Sequence, residues 1–111
     1  MSSTNPKDIA GSSKPPLALI PPIAEIYTSE VLRHGADKYG AWNWRRERIG
    51  MTAYLSAMRR HINAVIAGED IDRDSGLPHL AHVMATAAIV MDAAHANCVI
   101  DDRPTGESFQ G

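Results

Sequence analysis

GLPHLAHVMATAAIVMDAAH, residues 76–95, is the stretch whose reading decides the fold. Its apolar residues recur with helical spacing, and Pro78 is tolerated because it falls in the first turn. Asp74 or Ser75 stands just ahead as a candidate N-cap. The sequence predicts a third helix from about Gly76 to His95, with Leu80, Val83, Ala87, Val90 and Met91 on its buried stripe. Upstream, Leu55, Met58, Ile62, Val65 and Ile66 form a similar stripe, predicting a second helix capped by Thr52 and stopped by Gly68. Further upstream, Ile23, Ile26, Tyr27, Val31 and Leu32 predict a first helix that starts at Pro21 and Pro22 and breaks near Gly35 or Gly40. Between them, AWNWRRERIG (41–50) reads as a loop or short turn.

Residues 1–22 hold five of the seven prolines, so this segment reads as an extended arm poor in regular structure. Its Leu17, Leu19 and Ile20 are too apolar for a free tail, which predicts an ordered arm laid across the domain toward a neighbouring subunit. At the other end, NCVIDDRPTGESFQG reads as a short extended piece followed by a frayed tail. No alternating β pattern of useful length and no solenoid repeat is present. The expectation is one all-α domain over residues 23–111, with three to four helices completed by oligomerisation, preceded by the arm.

The chain has 111 residues, 44% of them hydrophobic, which suffices for one packed core but leaves a small domain with apolar helix faces to cover. A homo-oligomer, dimer or tetramer, is therefore expected. A net charge of −2 excludes the broad basic field that a nucleic-acid polymer requires. The single cysteine, Cys98, cannot close an internal disulfide and suits a reducing cytoplasm. The polar start does not read as a signal sequence, and no apolar run approaches the ~20 residues that span a bilayer. No membrane partner is expected.

Two clusters carry chemistry. In GEDIDRDSGLPHLAHV (68–83), Asp70, Asp72 and Asp74 alternate like the first positions of a calcium-binding EF-hand loop. That reading fails, because counting from Asp70 the glycine falls one position late and Ala81 stands where a bidentate Glu is required. His79 and His82 lie roughly 70° and 130° from the centre of the helical stripe, which predicts that they flank the core. His61 lies off the stripe of the second helix in the same sense, so the three imidazoles line a groove with Glu69 and Asp70 at its mouth. Asp72 and Asp74 read as capping and solvation.

The other cluster, DKYGAWNWRR (37–46), combines rings that stack on a base, an Asn amide with both donor and acceptor, and cations that neutralise phosphate. Arg59 and Arg60 add positive charge near His61. Its plainer reading makes Trp42 and Trp44 core anchors and the arginines a solvated rim. Acids and histidines at one end and rings with cations at the other have the polarity of a metal-dependent enzyme acting on a nucleoside polyphosphate.

The motifs TNPKD, KPPL, GADKYGAWNWR, RRHINAVIAGED, DSGLPHLAH and DDRP, in that order over nearly the whole chain, resemble the phage dATP/dGTP diphosphohydrolases, a group placed with the all-α MazG-like nucleoside triphosphate pyrophosphohydrolases. The resemblance implies cleavage between the α- and β-phosphates with Mg²⁺ or Mn²⁺, releasing a monophosphate and pyrophosphate and adjusting deoxynucleotide pools in the host-cell cytoplasm. The clan's paired E-x-x-E and E-x-x-D carboxylates do not appear here. By order they would fall on Arg60 to Asn63 and on His79 to His82, so imidazoles replace carboxylates and favour a softer ion such as Mn²⁺ or Zn²⁺.

On this reading Glu69, Asp70 and His79 are catalytic; His61, Glu69, Asp70, His79 and His82 hold metal, with Glu30 in reserve. Lys38, Arg45 and Arg60 grip phosphates, and Tyr39, Asn43 and Trp44 receive the base. Two rivals belong to other classes: a non-catalytic nucleotide-binding regulatory module, and a helical assembly protein whose acidic cluster is a solvated turn.

Overall fold

The computed structural model describes residues 4–104, so the frayed part of the tail expected beyond Pro104 lies outside the described residues. The order is α1 (Pro6–Gly11), a 3₁₀ turn (Leu17–Leu19), α2 (Pro22–Tyr39), α3 (Asn43–Arg46), β1 (Ile49–Gly50), α4 (Met51–Ile66), α5 (His79–His95) and β2 (Val99–Ile100). The fold is all-α, and α5 packs against both α4 and α2. Among the described residues, no helix is long and apolar enough to cross a membrane.

Pro22 opens α2 at its first turn, and the helix runs through Gly35 to Tyr39, ending at Gly40 with φ 88°. The expected break at Gly35 does not occur, because one glycine inside eighteen helical residues costs less than the turns it would sacrifice. The expected loop over 41–50 instead contains the single turn α3 and the strand β1. Ile49 pairs with Val99 and Gly50 with Ile100 in a parallel two-stranded ladder. That pairing joins segments fifty residues apart, so no local pattern announces it.

The arm also departs from expectation. Asn5 caps α1 by accepting from the backbone N–H groups of Lys7 and Asp8, and Leu17–Leu19 makes a 3₁₀ turn. The arm lies exposed along its length, and Leu17 and Ile20 border a shallow groove with Leu32 of α2 and Met84 of α5.

The cap of α4 is not Thr52. Gly50 occupies the cap position, and Asp102 serves the helix start by accepting from the Thr52 backbone N–H at 2.8 Å and from its hydroxyl at 2.6 Å. Likewise α5 starts at His79 with Pro78 in the cap position, while Asp74 and Ser75 belong to a turn closed on Asp72.

The buried face of α5 differs most from its pattern. Ala81, Ala85, Val90 and Ala93 are buried together with His79, whereas Leu80 is 55% and Met91 74% exposed. A helix apolar all round carries no moment to choose a face, and small side chains win the interior because they let α2 and α4 approach closely. Val31 meets Ala81 and Ala85 in one cluster; Ile49, Val90 and Ala93 form the other with Trp44, Tyr54 and Val99 against them. The rotation carries His79 into the interior, at 6% exposure, instead of beside it.

Candidate functional site

Three imidazoles meet where α4 crosses the start of α5. His61 Nδ1 lies 2.8 Å from His79 Nδ1, and the His61 ring stacks on His82 with centroids 4.5 Å apart and planes 7° from parallel. At that distance one of the two facing ring nitrogens donates to the other. Burial pushes the His61 imidazole below its ordinary value, and the neighbouring His79 pushes it the same way. Burial and then His61 also lower His82, against the opposing pull of Asp72.

The loop between α4 and α5 supplies the acids. Asp72 receives the Leu77 side of the loop through its backbone, the Leu77 carbonyl accepting its N–H, and the Asp70 carbonyl accepts the N–H of His79 at 2.9 Å. His82 Nε2 contacts the Ser75 hydroxyl at 2.6 Å and the Asp72 carboxylate at 3.2 Å. Burial alone would raise the Asp72 carboxyl, but the Asp74 N–H and the Ser75 hydroxyl hold it below the usual range. Asp72 is thus part of the cluster, although the sequence reads it as solvation. His79 Nε2 is buried without a hydrogen-bond partner among the described residues, and Glu69 Oε1 stands 3.6 Å from it. The Asp70 side chain is exposed, and only its carbonyl ties it to His79.

The aromatic cluster is held by a residue that the sequence reading does not single out. Asp92 of α5 accepts from Trp44 Nε1 at 2.7 Å and, bidentately, from Arg45 Nε at 2.8 Å and Nη2 at 2.6 Å. The Arg45 guanidinium and then the Trp44 indole hold the Asp92 carboxyl well below the usual carboxylate range. Arg45 also lies over the Trp42 ring at 5.2 Å, and the two indoles are 5.3 Å apart. Asp92 is the lone acid in the apolar 79–95 stretch, a signal by which it was findable. The charge of Arg45 is matched within the protein, whereas Arg60 projects from α4 and Lys38 pairs loosely with Asp74 at 3.4 Å.

A cavity of about 500 Å³ joins the two clusters. Lys38, Tyr39, Asn43 and Trp44 line it from one side, and His82 and Thr86 from α5. Tyr54, whose hydroxyl burial pushes above its ordinary value, closes another part of the wall. His34 and Asp92 also face it, neither of which the sequence singles out. His61 and His79 stand behind His82, and Arg45 and Arg60 are outside the lining.

A family model described as dATP/dGTP diphosphohydrolase, N-terminal, matches residues 4–103. The chain belongs to this family. A relative described as a dATP/dGTP diphosphohydrolase, from Salmonella phage PMBT28, is 31% identical over 98 residues, which cover 88% of this chain and 33% of the relative. The family domain seen here therefore spans about a third of that relative's length. No solved structure matches the chain.

Proposed function

We propose that this chain hydrolyses deoxypurine nucleoside triphosphates to the monophosphate and pyrophosphate, in the host-cell cytoplasm and toward adjustment of deoxynucleotide pools. The observation that carries the reading is the single cavity bounded by Asn43 and Trp44 on one side and His82 on the other. It gives a base and a triphosphate chemically distinct ends.

Phosphoryl transfer needs charge neutralisation and an oriented water more than covalent help. Lys38, on the cavity wall, is the cation placed to meet phosphate oxygens. With His79 donating through Nδ1 to His61, its Nε2 presents a bare lone pair toward the half-exposed Glu69, so that a proton which the Glu69 carboxylate takes from the attacking water can pass inward to the imidazole. The stack on His82, itself anchored by Ser75 and Asp72, fixes the His61 ring and so the proton between the two rings.

A divalent cation, Mg²⁺ or Mn²⁺, would be held by the carboxylates that the α4–α5 loop supplies, Glu69 and Asp70, hard oxygen donors suited to it, with the His79 Nε2 left free for the proton. Among the described residues no three His, Cys, Asp or Glu side chains already form a metal cage. An ion held there would take waters and substrate phosphates as its remaining ligands. Such an ion supplies charge neutralisation on the leaving pyrophosphate and acidifies a water. A homo-oligomer, dimer or tetramer, is part of the proposal, supported by the exposed Ile23, Ile26, Leu80 and Met91.

The test is incubation with each deoxynucleoside triphosphate and Mg²⁺ or Mn²⁺, followed by product separation. Pyrophosphate is expected from dATP and dGTP, with chelator stopping release and His79→Gln lowering kcat by roughly 10²-fold or more, as for loss of a general base. Release of single phosphate, or a folded His79→Gln protein with full turnover, refutes the assignment.

A further inference from the structure

Asn43 opens α3 directly after Trp42, whose φ of 60° places it in the left-handed region. After that backbone reversal Asn43, half-buried, lines the cavity together with Trp44 and Tyr54. Its backbone carbonyl accepts the N–H of Glu47, while no group among the described residues bonds to its side-chain amide. Its neighbours toward α5 are committed elsewhere: the Trp44 N–H and both Asp92 oxygens are used among themselves and Arg45. Asn43 is thus a cavity amide left unpaired beside an indole.

From this we infer that Asn43 is a two-way reader of the purine edge, setting a tolerance for both adenine and guanine in the reaction proposed above, on which this inference rests. Adenine offers an N6–H donor and the N1 acceptor side by side. Guanine offers the O6 acceptor and an N1–H donor in the same places. A primary amide carries one oxygen acceptor and one NH₂ donor at the matching separation, and rotating its terminal torsion by a half turn exchanges them. One orientation pairs with adenine and the other with guanine. A residue with fixed polarity would reject one of them, because the mismatched base buries two like groups against each other. The same two patterns recur on cytosine and thymine, so choosing a two-ring base falls to the aromatic walls.

The test compares wild type, Asn43→Asp and Asn43→Ala by kcat/KM on dATP and dGTP, and by quenching of tryptophan fluorescence with non-hydrolysable analogues of each. A carboxylate has two acceptors and no donor, so it suits the guanine N1–H and N2–H pair and opposes adenine N1. Asn43→Asp is expected to move the dGTP to dATP ratio by about tenfold or more toward dGTP, through KM, consistent with the loss of one or two hydrogen bonds. Asn43→Ala is expected to weaken both alike. An unchanged ratio in Asn43→Asp, or an Asn43→Ala protein equal to wild type, overturns the inference while the hydrolase reading stands. A wild-type chain that binds neither analogue overturns both.

Discussion

Two glycines five residues apart on and beside one helix should respond oppositely to the same substitution. Gly35 lies inside α2, and a Cβ built there meets no atom within 4 Å. Alanine at such a site gains about 0.5–1 kcal/mol, since glycine gives up more backbone freedom on folding. Gly40 ends the same helix at φ 88° and ψ 146°, a region an L-residue enters at a cost of about 1–3 kcal/mol. Its new Cβ would also lie 2.6 Å from Arg46 Nη2, which now donates to the Ala41 carbonyl at 2.9 Å. Arg46 is exposed and can swing away, so the backbone sets most of the cost. At roughly 4–8 °C per kcal/mol for a domain near this size, Gly35→Ala should raise Tm by roughly 2–8 °C and Gly40→Ala lower it by roughly 4–24 °C. Thermal melts followed by circular dichroism without nucleotide measure both. Shifts of the same sign, or a Gly40→Ala protein melting with wild type, would refute the reasoning. Because Gly40 leads into Trp42 and Asn43, its variant should also lose nucleotide affinity.

The histidine cluster predicts pH dependence. His61 and His82 have folded values below the ordinary imidazole value, so below about 6.5 the unfolded chain binds more protons and stability falls as pH falls. His61→Gln should flatten that slope in denaturant titrations between pH 7 and 5; an unchanged slope counts against the buried, neutral stack. Asp92→Asn removes the charge that holds Arg45 and Trp44, so tryptophan emission should shift and nucleotide affinity should fall while helix content stays; unchanged emission and affinity would show that the clamp is held elsewhere. Thr52→Ala and Asp102→Ala break one linkage from its two ends, so each should lower Tm and the double variant should lose less than the sum. Additive losses would mean that the two do not act together.

The sequence by itself determined the three long helices, because apolar spacing and the proline and glycine signals at Pro22, Gly40 and Gly68 act within a few residues. It also marked the chemistry, since the rings and cations of 38–46 and the acids and imidazoles of 61–82 are unusual enough to stand out as types. Tertiary structure alone decided which side chain of each cluster meets which. The α5 face was not legible because a helix apolar on every side buries whichever side chains let its neighbours come closest, and those were Ala81, Ala85 and Ala93. That choice turned His79 inward and placed His82 on the cavity wall. Asp102 on Thr52, Asp92 on Trp44 and Arg45, and the β1–β2 ladder join residues 47 to 50 positions apart. Such contacts form only after the chain has folded back, when packing has already set the distances that no local preference encodes.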